Sequence, residues 1–203
     1  MVDLNVESSM TRWDIDRIIN SFPVSEVLRR HMYGTARLAK ELSLRFSENP
    51  QKAYIAGCLH DICRGMSDAD SREYVDINGI QVLEMEYKSG TPLLHPIVAH
   101  HFLREKQIVD DERILEAVRY HTTGRPGMCN LTKLVMVADI LEDSRDGDFE
   151  EMRSILDLNN IDDMVREVLR FKVDYIMSIG LKIHPLMSDT LKKLEKGVIL
   201  SGG

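Results

Sequence analysis

The sequence predicts an all-α fold, a compact helical bundle, and three observations carry that expectation. Apolar residues recur at intervals of three and four along most of the chain, the period of a helix with one buried face. Capping residues stand where these stretches begin, and glycine or proline where several of them end. No stretch alternates polar and apolar residues for long enough to make a strand. At 203 residues, 43% hydrophobic and 29% charged, the chain has the composition of a globular protein able to bury a sizeable core.

Each element has its own signals. "TRWDIDRIINSF" (11–22) reads as a short helix stopped by Pro23. "SEVLRRHMYGTARLAKELSLRF" (25–46) has Ser25 as N-cap, and Val27, Leu28, His31, Thr35, Leu38, Leu42 and Phe46 on its apolar side. "NPQKAYIAGCLHDICRG" (49–65) opens with Asn49 at the cap and Pro50 at the first helical position, and closes near Gly65. Residues 67–78 and 81–87 form two shorter helices divided by Gly79. "TPLLHPIVAHHFLREK" (91–106) and "DDERILEAVRYHTTG" (110–124) follow, the second with an acidic start and a glycine stop. "NLTKLVMVADILEDSR" (130–145) is so apolar in its middle that it is expected at the centre of the bundle. Helices over about 148–157, 161–179 and 187–197 complete the chain. One domain over 1–203 is expected: an N-terminal helical extension (1–23), a ligand-bearing core (24–145) and C-terminal helices packed on it (146–203).

Composition narrows the function. A net charge of −7 argues against a general nucleic-acid-binding surface, so any anionic ligand needs a local positive charge. Cys58, Cys63 and Cys129 form no C-x-x-C pair, and free thiols in a reducing cytoplasm are expected. "MVDLNVESSM" has neither the basic nor the apolar region of a signal peptide, and no apolar run approaches the ~18 residues needed to cross a membrane.

Six polar residues interrupt the apolar faces: His31, the adjacent His60 and Asp61, His95, His121, and Asp139 within "LVMVADIL". A lone histidine on such a stripe is more often a hydrogen-bonded core residue, and a lone buried aspartate a cap or ion-pair partner. Six such groups facing inward from five helices are better explained together, converging on a metal. His95 shares a face with Val98, Ala99 and Phe102, whereas His100 and His101 fall to either side and read as peripheral. Cys58 and Cys63 read as core packing, and His184 as a capping or packing residue.

The order His31, His60-Asp61, His95, His121, Asp139 resembles the metal-binding signature of HD-domain phosphohydrolases. "AGCLHDICRG", "LLHPIVAHHFL", "AVRYHTTGRPGMCNLTKLVMVADILEDSR" and "GLKIHPLMSDTL" together resemble the YqeK-type branch, the symmetrical diadenosine tetraphosphate hydrolases. The resemblance spans about residues 24–195. It implies an HD-type helical bundle in which His31, His60, Asp61 and Asp139 form a four-ligand core. His95 and His121 would be the two further histidines of a binuclear centre. It also implies that Arg64 and Arg145 meet phosphate oxygens, and that Thr122, Thr123 and Gly124 form a turn at the mouth of the site. Two positions depart from the family pattern: Leu28 stands where an arginine is usual, and Asp143 where a proline is.

The implied chemistry is coherent. Two divalent cations activate a water and neutralise phosphoryl charge, and a carboxylate such as Asp61 has two oxygens with which to bridge them. Nitrogen-rich ligation favours iron, cobalt, manganese or zinc over magnesium, with iron the first choice by resemblance. The expected catalytic groups are Asp61, Arg64 and Arg145. Arg125 and Lys133 flank the constellation as further substrate-binding candidates. The expected reaction cleaves a dinucleoside tetraphosphate at its centre to give two nucleoside diphosphates, in the cytoplasm, with no nucleic-acid or membrane partner and a homodimer left open. The alternatives are a hydrolase of another nucleotide or alarmone, a diiron HD-type oxygenase, and a non-catalytic nucleotide-sensing module.

Overall fold

The computed structural model describes residues 10–143 and 150–201. Its helices are α1 (Arg12–Ile19), α2 (Glu26–Arg45), α3 (Pro50–Leu59), α4 (Asp68–Ile77), α5 (Glu84–Ser89), α6 (Thr91–Glu105), α7 (Glu112–Tyr120), α8 (Asn130–Leu141), α9 (Glu150–Arg153), α10 (Ile161–Ser178) and α11 (Pro185–Ser201). A 3₁₀ turn at Ser154–Asp157 follows α9, and no strand occurs among the described residues. The fold is all-α, as the periodicity predicts. None of these helices is long and apolar enough to cross a membrane.

The caps form where the sequence places them. Ser25 Oγ accepts from Leu28 N at 3.2 Å, and Asn49 Oδ1 accepts from both Gln51 N and Lys52 N. Each satisfies amide groups that the first helical turn leaves without a partner.

Helix α8 organises the core. Leu131, Val135 and Ala138 pack into a cluster with buried residues of α1, α2, α3, α6 and α7. Leu134, Val137, Ile140 and Leu141 join a second cluster with Met164, Val165 and Val168 of α10. A helix apolar on all sides belongs between two layers, and α8 lies there. Helices α2 and α3 approach so closely that a Cβ at Gly57 would stand 2.5 Å from Ala36 Cα. That contact sets the end of α3 beside the middle of α2.

Several expected boundaries move, for identifiable reasons. Helix α3 stops at Leu59, so His60 and Asp61 leave the helix in a turn instead of lying within it. The His60 ring takes the Gly57 carbonyl at 2.7 Å, an oxygen that a continuing helix would give to Asp61 N. Helix α7 ends the same way at Tyr120: the His121 ring takes the Val118 carbonyl at 2.9 Å. Helix α8 ends at Leu141, not 145, and Glu142 turns extended with φ −67° and ψ 152°. Val27, expected on the buried side of α2, is 76% exposed. It sits on the first turn, off the stripe of Met32, Ala36 and Ala39 that carries the burial.

Candidate metal centre

Five chain segments converge on one place: α2, the turn after α3, α6, the end of α7 and the end of α8, together supplying six side chains. His31 Nε2 lies 3.1 Å from Asp139 Oδ1 and 3.7 Å from Asp61 Oδ2. His60 Nε2 is 3.6 Å from the same two carboxylates. On the other side of Asp61, Oδ1 lies 2.9 Å from His95 Nε2 and 3.4 Å from His121 Nε2. The six residues form two groups able to hold a metal ion: His31, His60, Asp61 and Asp139, and Asp61, His95 and His121. Asp61 belongs to both.

The second nitrogen of each ring is tied down. Nδ1–H of His60, His95 and His121 donates to the backbone carbonyls of Gly57, Thr91 and Val118 at 2.7, 2.8 and 2.9 Å. Nδ1 of His31 instead lies 2.9 Å from Glu142 Oε1. These bonds leave Nε2 of every ring as the lone-pair nitrogen facing the carboxylates.

The electrostatics favour a ligand set. Burial by itself would raise the Asp61 carboxyl, but the neighbouring His60 and His95 hold it well below the usual carboxylate range. Burial pushes His121 down to about 4, so its ring is neutral at physiological pH, the form that binds metals. His60 Nε2 is buried and makes no hydrogen bond. A buried imidazole nitrogen with no partner, facing two carboxylates, fits a cation better than it fits an apolar core. The mixed nitrogen and oxygen donors suit a divalent transition metal.

The remaining expected site residues divide. Arg64 Nε is 3.5 Å from Asp61 Oδ2, with its side chain half exposed, so it borders the cluster. Thr122 Oγ1 lies 3.0 Å from His121 Nε2. Thr123, expected at the mouth, is instead buried with its hydroxyl donating to Gly124 O, and Gly124 backs onto Met136 and Thr190. Its φ of +67° explains the glycine. Arg125 and Lys133 are not brought to the cluster: Arg125 pairs with Glu116, and Lys133 lies 2.6 Å from Asp162. Arg145 and the residues beside it lie outside the described residues. Neither His100 nor His101 joins the ligand groups; burial and the nearby Arg104 and Arg119 push His100 down to about 4, and His101 Nδ1 is 3.1 Å from the Tyr74 hydroxyl. Cys58 and Cys63 are buried free thiols, Cys58 raised by burial to about 12. His184 caps and packs, accepting from Leu186 N at Nδ1 and lying 3.2 Å from buried Glu86 at Nε2.

Glu142 is the polar residue that sequence reading passes over. It is 3% exposed although it stands at the end of a helix, next to exposed Asp143. The available signal was its spacing: three residues after Asp139, it shares that residue's face of the helix.

The family model of the HD domain matches residues 28–143. The chain belongs to the HD domain family. It is 32% identical to a symmetrical bis(5'-nucleosyl)-tetraphosphatase of Bacillus subtilis over 126 residues, 60% of this chain and 67% of that one. It is also 32% identical to the enzyme of the same name in Halalkalibacterium halodurans over 116 residues, 57% of this chain and 61% of that one. The matched region thus spans about three-fifths to two-thirds of these curated relatives. An HD superfamily hydrolase from Clostridium acetobutylicum, described as involved in NAD metabolism, superposes with a TM-score of 0.83 over 93% of this chain and 100% of its own, at 24% identity. That likeness bears on the fold.

Proposed function

We propose that this chain is a metal-dependent phosphohydrolase that cleaves diadenosine tetraphosphate symmetrically into two molecules of ADP. The observation that carries this reading is the position of Asp61, one buried carboxylate shared by two ligand groups. A single structural ion needs only one such group, whereas paired ions are the common device for attacking phosphate esters and anhydrides. The relatives named as symmetrical tetraphosphatases supply the substrate class.

His31, His60, Asp61 and Asp139 would hold one ion, and Asp61, His95 and His121 the other, with iron the leading candidate for both. Bound divalent ions supply Lewis acidity and neutralise phosphate charge. The protein's own share is position and exclusion. Buried His60, Asp61, His95 and His121 close the floor of the site, while half-exposed Arg64 stands at its edge where a phosphate chain would enter. The planar fork of Arg64 suits paired phosphate oxygens, and Arg145 is assigned the same work from its place in the sequence. Water adds across the central anhydride: a new P–O bond forms at one inner phosphorus, the bridging P–O bond breaks, and the departing ADP takes the proton. The C-terminal helices pack on the same α8 that carries Asp139, so the chain is read as one working domain, in the cytoplasm.

Product analysis tests the reading. Metal-replete protein given diadenosine tetraphosphate should release ADP as the sole early nucleotide product. Equal ATP and AMP would overturn symmetrical cleavage, and no product would turn attention to mononucleotides and guanosine alarmones.

A further inference from the structure

Among the four histidines of the centre, three are gripped by backbone carbonyls of their own segments and are completely or almost completely buried. His31 differs on both counts. Its side chain keeps 12% exposure at the rim of the site, and its Nδ1 faces the Glu142 carboxylate, 111 residues away in sequence. Burial therefore orients the other rings, while His31 needs an anchor.

Gly34 makes that anchor possible. A Cβ at Gly34 would stand 2.0 Å from Glu142 Oε2 and 2.8 Å from its carboxyl carbon. Glycine is a poor residue for the interior of a 20-residue helix, and here its missing side chain is the slot in which the carboxylate lies. The end of α8 delivers both groups: Asp139 from the last turn of the helix, and Glu142 from the first residue beyond it.

We propose that Glu142 is a positioning residue for the metal centre, housed by Gly34, and that it makes the His31–His60–Asp61–Asp139 position the tighter of the two. A carboxylate against the far nitrogen fixes the ring and its tautomer. It also makes Nε2 a stronger donor than a neutral carbonyl does. The other position has three ligands, and both of its histidines are backed by neutral carbonyls. This inference rests on the binuclear reading above.

Cobalt(II) added stepwise to metal-free protein tests it, read by equilibrium dialysis and by visible absorption. The parent should take up cobalt with one step tighter than the other. Glu142→Gln, which keeps the size but not the charge, should weaken the tighter step about 10- to 100-fold, the usual cost of losing such a partner, and alter that step's visible spectrum. The weaker step should be unchanged. Gly34→Ala should reproduce the loss, and the double variant should lose no more than either single one, because both remove one contact. Should Gly34→Ala fail to fold, Glu142→Asp, which keeps the charge but shortens the reach, takes its place in the series. A parent that binds no cobalt sinks the metal-centre reading and this proposal with it. A parent that binds normally, beside a Glu142→Gln variant that matches it at both steps, sinks this proposal alone. Additive losses in the double variant would overturn the role given to Gly34.

Discussion

Two clusters of charged and polar residues adjoin the α7–α8 connection, and they are built differently. One is the histidine–aspartate cluster. The other lines a cavity of ≈ 450 Å³ between that connection, α10 and α11, with Arg125, Lys133, Asp162, Asp163, Arg166 and Lys193 on its walls. In the cavity, cations meet carboxylates: Arg125 with Glu116, Lys133 with Asp162 at 2.6 Å, Arg166 with Asp163 at 2.6 Å. In the cluster, four imidazole nitrogens converge on two carboxylates, and His60 Nε2 bonds to neither. The cavity's charges are matched sign against sign, although Arg125 Nε is itself buried without a hydrogen bond. The cluster instead converges lone-pair nitrogens and carboxylate oxygens on common points, an arrangement that suits a cation.

The contrast can be broken most sharply at Asp61. Asp61→Ala should abolish turnover and loosen both ions, since the cations lose the anion they share and repel each other. Elemental analysis and circular dichroism should show lost metal with helices intact. Retention of two ions per chain would remove Asp61 from its bridging place.

The arginines should give the next largest effect. Arg64→Ala and Arg145→Ala each remove a charge-assisted contact to phosphate, about 1.5–3 kcal/mol, or on the order of 10- to 100-fold in rate. Metal content should hold, so turnover falls while stoichiometry does not. Parallel loss of both would make them structural.

The paired side should respond weakly. Lys133→Ala should leave turnover essentially unchanged and cost no more than about 1 kcal/mol in thermal stability, the range for a partly exposed ion pair. A large loss of turnover would return Lys133 to the substrate site. His100→Ala should be equally silent, and a loss comparable with His95→Ala would show that α6 presents a different face.

Glu86 offers the smallest and most specific check. Burial raises its carboxyl, but His184, Leu83 N and Arg119 together hold it below its ordinary value. A carboxylate with a lowered folded pKa contributes stability that is present above its unfolded value and lost as pH falls through the folded one. Melting curves of the parent and Glu86→Gln should therefore differ at pH 6 and converge as the pH drops well below 4.5. A gap that stays constant would mean that the residue acts through packing, not charge.

Much of this was legible along the chain. The helical period, the caps at Ser25 and Asn49 and the apolar continuity of α8 are local properties, and each took its expected form. The ligand types were legible too, because an imidazole or carboxylate on an apolar face contradicts its surroundings whatever the fold. Folding decided the pairing. His60 and Asp61 were read as helical, but a side-chain bond to Gly57 O competes with the backbone and ends the helix, and no period records that. Arg125 and Lys133 stand close in sequence to His121 and Asp139, yet their charges find Glu116 and Asp162 first. Glu142 looked like one more acid in the last turns of a helix, and its burial depends on a glycine 108 positions earlier. Side-chain chemistry and period belong to single residues and their near neighbours. Which groups meet, and which are left over for a ligand, depends on distances between segments that only the packed bundle sets.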